Sequence, residues 1–348
     1  MRRTLLSALA LLVLAAPFTA QAASQLQSRI DTERTSLLTG EELVLRFALT
    51  NTGPRSAQIL RWHTPLQGVD DDLFEVSRNG EPVAYLGRMF KRGVPTPSDY
   101  LRVLPGETLS ANVPLASLYD LSRPGEYTVR YRLELSDAFG RGDGERAELL
   151  SSNTLTLWLE GEDLSELGSY ELEGSSPDAL TPVYRNCTSS RKTALASALS
   201  SSQTYTGNGL AYLNAGSKGA RYTTWFGTYT SSRYATVRSH YGSLDSTIRT
   251  KTITFDCGCT DSAYAYVYPN QPYIVYLCNA FWSAPTGGTD SKAGTIVHEL
   301  SHFYVVASTD DWAYGQTACK SLARSNPKKA TDNADSHEYF AENTPAQN

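Results

Sequence analysis

The first half of this 348-residue sequence is poor in two residue types. Residues 1–191 contain one lysine, Lys91, although arginines are plentiful there, and no cysteine precedes Cys187. The net charge is −5 and no stretch concentrates basic residues, so we expect no nucleic-acid partner. The length, together with this contrast between the two halves, predicts two domains.

Long hydrophobic runs are also missing, except for Leu5–Pro17 near the N-terminus. Arg2 and Arg3 precede this run, and the small-residue motif Ala20-Gln21-Ala22 follows it. The run is shorter than the roughly 20 apolar residues that a membrane-spanning helix needs. Residues 1–22 are therefore predicted to be a secretory signal peptide rather than a membrane anchor. We expect a secreted, extracellular protein with no membrane partner.

Residues 23–160 alternate between apolar and polar residues in short runs that are separated by turn signals. The clearest runs are Leu43–Leu49, Tyr127–Leu133 and Thr154–Leu159. This spacing predicts an all-β, immunoglobulin-like sandwich. Residues 161–183 are acidic and rich in Ser, Gly and Pro, which is typical of an exposed linker and processing region.

Residues 184–348 mix helical and strand patterns, which predicts an α+β domain. The predicted helices are Lys192–Gly207, Gly209–Asn214, Thr223–Tyr241, Ala293–Val306 and Gln316–Ala323. The predicted strands are Thr252–Phe255, Ala263–Tyr268 and Tyr273–Leu277.

The helix predicted at Ala293–Val306 carries an HExxH motif, residues 298–302. His298 and His302 are four residues apart, so they lie on one helix face and can bind one metal ion together. Glu299 lies beside that face, where a carboxylate can act as a general base. A catalytic zinc site usually has three protein ligands. Asp310 and Asp311 in the following turn are equal candidates for the third.

The HExxH motif followed by Thr309, Asp311, Tyr314 and Gly315 resembles the aspzincin (deuterolysin) family, and above all peptidyl-Lys metalloendopeptidases. The resemblance covers residues 184–348 and includes other segments: Tyr222–Gly227, Ala263–Asn270, Tyr276–Cys278, Ala280–Trp282, Ala318–Ala323 and Asn333–Phe340. It implies a zincin-like catalytic domain that binds one Zn²⁺ per chain through His298, His302 and Asp311. Glu299 would be the general base, and Tyr314 would donate a hydrogen bond to the oxyanion.

The resemblance also bears on cysteines and specificity. It implies the disulfides Cys187–Cys257 and Cys259–Cys278, with Cys319 left as a buried thiol. A second metal site at Cys257-x-Cys259 is the less favoured alternative, because no further ligands are spaced to complete it. Asp335 and Glu338 would form a pocket for a lysine on the carboxyl side of the cut bond. From the residues alone, a helix capping box at Asp335 and Glu338 is the alternative.

The predicted function is that of a secreted, monomeric zinc metalloendopeptidase that hydrolyses Xaa–Lys bonds in proteins and peptides. The β-sandwich would be a propeptide that inhibits the enzyme, with Lys91 occupying the lysine pocket. The alternative for Lys91 is a surface lysine. The alternative for the sandwich is a binding module that the mature protein retains. The alternatives for the whole chain are an aspzincin of broader specificity and a secreted binding protein with an inactive protease-like domain.

Overall fold

The computed structural model describes residues 26–135, 148–165 and 181–348. The predicted signal peptide and residues 166–180 of the predicted linker lie outside the described residues. Among the described residues, no helix combines the length and the apolar character that a membrane span requires.

The N-terminal region, residues 26–165, is built of β-strands, as predicted. Its strands are β1 (Leu26–Asp31), β2 (Ser36–Leu38), β3 (Val44–Asn51), β4 (Ala57–Leu60), β5 (Phe74–Arg78), β6 (Glu81–Pro82), β7 (Met89–Lys91), β8 (Tyr100–Val103), β9 (Thr108–Pro114), β10 (Gly125–Leu135), β11 (Glu148–Ser151) and β12 (Leu155–Glu160). Short 3₁₀ helices occur at Arg61–His63, Pro97–Asp99 and Leu115–Ser117.

Two sheets enclose the core of this region. One has the strand order β1-β3-β9, and the other has the order β2-β12-β10-β5-β6 with β11 also paired to β10. Strand β3 shows why they pack together: Leu45, Phe47 and Leu49 are fully buried, and the residues between them face outward. These side chains join one apolar core between the sheets. Strands β4 and β8 form a separate pair.

The C-terminal region, residues 181–348, is α+β, as predicted. Its helices are α1 (Ser189–Asn214), α2 (Ala220–Phe226), α3 (Ser231–Thr250), α4 (Asn279–Ser283), α5 (Lys292–His302), α6 (Gln316–Ser325), α7 (Pro327–Ala330) and α8 (Ala334–Glu342). Its strands are β13 (Val183–Arg185), β14 (Thr254–Asp256), β15 (Ala265–Val267) and β16 (Ile274–Leu277).

The sheet of the C-terminal region has the strand order β13-β14-β16-β15-β7. Its last strand, β7, comes from the N-terminal region and pairs antiparallel with β15. The two regions therefore share one sheet at the edge that borders the functional residues described below.

Several of the predicted helices have different ends in the structure. The predicted helix Thr223–Tyr241 is two helices, α2 and α3, because Gly227 ends α2 with a φ of 74°. The predicted segments Lys192–Gly207 and Gly209–Asn214 belong to the single helix α1, because Gly209 packs closely against Tyr241 and does not interrupt the helix. Helix α5 ends at His302 and not at Val306. Phe303 has an extended ψ of 130°, and the residues after it turn back along the helix.

Candidate active site

Helix α5 is fully buried and holds the HExxH motif. Ser291 is the N-cap of α5: its hydroxyl accepts a hydrogen bond from the Gly294 amide at 2.9 Å. His298 and His302 share one helix face, and their ring centroids are 4.8 Å apart. The early end of α5 at His302 lets the next residues return to these two imidazoles.

The returning turn brings Asp311 to the histidines. The Thr309 amide donates to the Ser301 carbonyl at 3.1 Å, which fixes the turn against the helix. Ser308 adopts a φ of 52°, in the left-handed region that glycine usually occupies.

Three side chains converge as a candidate metal site. Asp311 Oδ1 lies 3.3 Å from His298 Nε2, and Asp311 Oδ2 lies 3.5 Å from His302 Nε2. His302 Nδ1 lies 2.8 Å from the Thr309 carbonyl oxygen, which directs Nε2 toward Asp311. Asp310 does not join this group, because its carboxylate accepts a hydrogen bond from the Asp311 amide. Geometry therefore separates the two aspartates that the sequence left equal.

The donor atoms of this group fit a zinc ion. Both Nε2 atoms and both carboxylate oxygens of Asp311 are buried and have no hydrogen-bond partner among the described residues. Unpartnered buried polar atoms are costly unless a ligand satisfies them. Two imidazole nitrogens and one carboxylate form a common zinc donor set. Burial opposes ionisation of Asp311, but the two imidazoles hold its pKa below the ordinary value.

Glu299 is fully buried beside the candidate metal ligands, and neither of its carboxylate oxygens has a hydrogen-bond partner among the described residues. Burial raises the pKa of Glu299 to about 7, although His298 and His302 oppose this rise. A carboxylate with a pKa near neutrality is well suited to accept and release a proton.

Tyr314 lies on the opposite side of the site and is buried. Its hydroxyl donates a hydrogen bond to the carbonyl oxygen of Phe90 at 3.2 Å. Burial and the negative charge of Asp311 raise the pKa of Tyr314 well above the ordinary value, so the hydroxyl keeps its proton. This tyrosine is therefore a hydrogen-bond donor that points at a peptide carbonyl.

A second pocket adjoins the metal site and contains Lys91. The side chain is 1% exposed, its Nζ lies 3.5 Å from Asp335 Oδ1, and it also contacts Glu338 Oε2. The Tyr264 ring covers the ammonium group at 5.1 Å. Burial opposes the charge on Lys91, but the two carboxylates hold its pKa well above the ordinary value.

Helix α8 carries both carboxylates of this pocket. Asn333 is the N-cap of α8, and Asp335 lies within the helix, so the capping-box alternative for Asp335 and Glu338 is wrong. Asp335 Oδ2 accepts a hydrogen bond from the Gly315 amide at 2.7 Å, and Asp335 Oδ1 lies 2.9 Å from His298 Nδ1. Asp335 thus links the lysine pocket to a candidate metal ligand.

Gly294 and Glu342 form the floor of this pocket. Neither residue is among those predicted from the sequence. A Cβ atom at position 294 would lie 2.8 Å from Glu338 Oε1, so only glycine leaves room for the carboxylate. Glu342 accepts hydrogen bonds from the Ser291 amide and hydroxyl, at 2.9 and 2.7 Å. Burial raises the pKa of Glu342 to about 9. Its spacing of four residues from Glu338 is the signal that could have found it.

The segment around Lys91 lies across both pockets as an added strand. In the pairing of β7 with β15, Lys91 is opposite Ala265 and Phe90 is opposite Tyr266. The Tyr264 amide donates to the Lys91 carbonyl at 3.0 Å. At the start of the segment, the Tyr304 hydroxyl donates to the Tyr85 carbonyl at 2.6 Å. The N-terminal region thus covers the face on which the functional residues converge.

The cysteines and the remaining histidines have structural positions. Disulfides join Cys187 to Cys257 and Cys259 to Cys278, the pairing that the resemblance implied, and Cys319 is a buried free thiol. Because Cys257 and Cys259 are both in disulfides, they form no second metal site. His337 Nε2 lies 3.0 Å from His240 Nδ1, and burial lowers the pKa of both imidazoles. His63 is half-buried, and burial of its ring lowers its pKa to about 4.

Comparisons with known proteins identify a family and several relatives that this chain resembles. An aspzincin family model described as lysine-specific metallo-endopeptidase matches residues 211–342. An "Extracellular protease" from Aeromonas hydrophila is 41% identical over 312 residues, which are 88% of this chain and 90% of the relative. A "Peptidyl-Lys metalloendopeptidase" from Grifola frondosa is 39% identical over 313 residues, which are 86% of this chain and 87% of the relative. The solved zinc peptidase from Grifola frondosa is 54% identical and covers 47% of this chain and 100% of its own, with a TM-score of 0.45.

Proposed function

Since this chain belongs to the aspzincin family and is a zinc metalloendopeptidase that acts on proteins or peptides, we propose that it cuts on the N-terminal side of lysine and is made as a secreted zymogen. The observation that carries the proposal is Lys91, a buried lysine between two carboxylates beside the candidate metal site. The chain presents its own lysine where a substrate lysine would bind.

The metal site in this proposal holds one Zn²⁺ per chain, with His298, His302 and Asp311 as its ligands. Zinc bound by these residues would supply a Lewis acid for the peptide carbonyl and for the attacking water. Glu299 accepts the proton from water and passes it to the leaving amine. Tyr314 donates a hydrogen bond to the oxygen of the reacting carbonyl, which supports the charge that develops there.

Lysine specificity follows from the chemistry of the second pocket. Asp335 and Glu338 supply two negative charges in a narrow buried space, and a compact ammonium has three donors to satisfy them. The broad planar guanidinium of arginine needs a wider site. The names of the relatives, which include peptidyl-Lys metalloendopeptidases, point to the same substrate class.

Inhibition by the N-terminal region is supported by three contacts. Strand β7 adds to the sheet edge at β15, Lys91 occupies the lysine pocket, and Tyr314 donates to the Phe90 carbonyl. A peptide substrate needs the same edge, pocket and donor, so it cannot bind until this segment leaves. No lysine lies between Lys91 and Lys192, so a strictly lysine-directed enzyme cannot cut the linker itself. Another protease, or relaxed self-cleavage, would release the inhibitor.

The proposed organisation has residues 1–22 as the signal peptide, 23–160 as an immunoglobulin-like propeptide, 161–183 as the processed linker and 184–348 as a monomeric protease. Export is supported by the two disulfides, which persist in oxidising compartments, and by a relative named an extracellular protease. The propeptide role, rather than a retained binding module, is supported by the position of Lys91 across the active site.

The test of this proposal is mass spectrometry of the peptides that the processed protein releases from a lysine-containing protein. We expect peptides that begin with lysine, and loss of cleavage after zinc is removed. Cuts distributed before many residue types would favour an aspzincin of broader specificity. No cuts by a folded, zinc-loaded protein would favour an inactive protease-like domain.

A further inference from the structure

The contacts of the segment around Lys91 also indicate a neighbouring subsite. Tyr314 donates its hydrogen bond to the carbonyl oxygen of Phe90, and the next side chain, Lys91, fills the lysine pocket. If the pocket reads the residue after the cut bond, Phe90 occupies the position immediately before it. The surroundings of Phe90 therefore show what the enzyme offers to that residue of a substrate.

Phe90 is 2% exposed, and it packs against residues of the C-terminal region, residues 181–348, which is the catalytic region of the proposed protease. Its ring is tilted over Tyr266, with the centroids 4.9 Å apart and an interplanar angle of 39°. It also packs in an apolar cluster with Ala263 and Cys278, which Cys259 borders. Every apolar residue that packs with Phe90 in this cluster belongs to the catalytic region.

Met89, the residue before Phe90, does not share these contacts with the catalytic region. Met89 is buried as well, but it packs in the core of the N-terminal region. Strand alternation separates the two side chains, so only Phe90 of this pair reaches the protease. A substrate would lose the environment of Met89 when the N-terminal region leaves, and it would keep the environment of Phe90.

The surface under Phe90 is held in place without the N-terminal region. Tyr266 stacks on Tyr276 of the adjacent strand, with centroids 4.6 Å apart and an angle of 2°. The Cys259–Cys278 disulfide fixes the other side of the cluster. Arg88 and Arg92 also lie over the Phe90 ring, at 5.1 and 4.7 Å, but both leave with the N-terminal region.

We propose that the mature protease has an apolar subsite for the residue immediately before the lysine, formed by Tyr266, Ala263 and the Cys259–Cys278 disulfide, and that it favours aromatic and large aliphatic side chains there. This inference rests on the proposed cleavage of Xaa–Lys bonds and adds a second specificity to it. The aromatic platform accounts for the preference, since a flat ring gains both apolar burial and ring packing.

The test uses the processed enzyme and a set of peptides with one lysine and no arginine that differ only in the residue before the lysine. We expect kcat/KM to be about tenfold higher for Phe or Leu than for Gly or Asp at that position. In Tyr266→Ala, the ratio between the Phe and Gly peptides should fall to about twofold or less, because the platform is removed.

Tyr268→Ala is the matched control. Tyr268 lies on the same strand segment, is half-buried like Tyr266 and contacts Tyr266 and Tyr276, but it makes no ring contact with Phe90. We expect this variant to keep the wild-type ratio. Zinc content and unfolding temperature identify any variant that fails to fold.

Equal kcat/KM for all four peptides would overturn the subsite and leave lysine cleavage intact. An unchanged ratio in folded Tyr266→Ala would overturn the assignment to this platform. Absence of any cleavage before lysine would overturn the proposed function, and the subsite with it.

Discussion

The two regions of this molecule bury different kinds of side chain. The charged residues that the N-terminal region buries, in the part of it that the structure describes, are Lys91 and Asp71. Lys91 pairs with acids of the catalytic region, and the charge of Asp71 interacts most strongly with Asp310 and Asp311 of that region. The catalytic region buries many more: Arg221, Lys292, His298, Glu299, His302, Asp311, Asp335, His337, Glu338 and Glu342.

The apolar core and the buried charges have different roles: the core stabilises the fold, and the charges serve the chemistry of the site. Apolar side chains between the two sheets form the core of the N-terminal region. Buried charges contribute little to stability on their own, and they cluster where a site needs them. The N-terminal region contributes one cation, Lys91, to a site where the catalytic region supplies two carboxylates. In the proposed function, this cation takes the place of a substrate lysine.

The largest expected effect is a loss of turnover, caused by a substitution that leaves the fold of the catalytic region unaltered. Glu299→Gln keeps the size of the side chain but removes the general base. We expect kcat of the processed enzyme to fall by about 10³-fold or more. Zinc content, measured by elemental analysis, should stay near one ion per chain. Wild-type turnover in this variant would contradict the role of Glu299.

The disulfides test whether the two regions are stabilised independently. Cys187–Cys257 and Cys259–Cys278 span sequence separations of 70 and 19 residues. Chain entropy predicts that replacing each pair by serine destabilises the catalytic region by about 4 and about 3 kcal/mol, respectively. Calorimetry should show the transition of the cysteine-free N-terminal region unchanged. A single transition that shifts as a whole would show that the regions unfold as one unit.

A smaller effect is expected for Tyr314→Phe, which removes only the hydroxyl. Loss of one oxyanion donor lowers kcat by about 10²-fold. Since the substitution keeps the aromatic ring, we expect KM of the processed enzyme to change little. Steady-state kinetics on a single-lysine peptide separate the two constants. A rise in KM with unchanged kcat would assign Tyr314 to binding alone.

The smallest effect concerns Glu342, which holds the start of α5 against α8 behind the lysine pocket. Glu342→Ala removes the acceptor for Ser291, and we expect KM for lysine peptides to rise by about tenfold. Because burial raises the pKa of Glu342 to about 9, Glu342→Gln has the same charge at neutral pH. The glutamine variant should therefore restore most of the affinity. Equal defects in both variants would show that the negative charge is required.

The sequence predicted the residues of the site better than the turn and the strand pairing that bring them together. HExxH spacing identifies His298 and His302, because four residues make one helical turn. Choosing Asp311 over Asp310 depends on the end of α5 at His302 and on the left-handed turn at Ser308. These features depend on tertiary packing, and the apolar pattern through Val306 favoured a longer helix. The strand pairing of β7 with β15 is a contact between distant residues that no local pattern encodes.

Lys91 is proposed to keep the enzyme inactive by occupying the lysine pocket. Hydrolysis of a single-lysine peptide by the uncut chain tests this proposal most directly. Intact-mass measurement verifies that the chain is uncut. Breaking a buried ion pair costs about 3–5 kcal/mol, so we expect Lys91→Ala to be at least about 10²-fold more active than the uncut wild type. Arg88→Ala, which alters a more exposed ion pair in the same segment, should remain silent. A silent Lys91→Ala chain that binds zinc and becomes active after processing would contradict the claim.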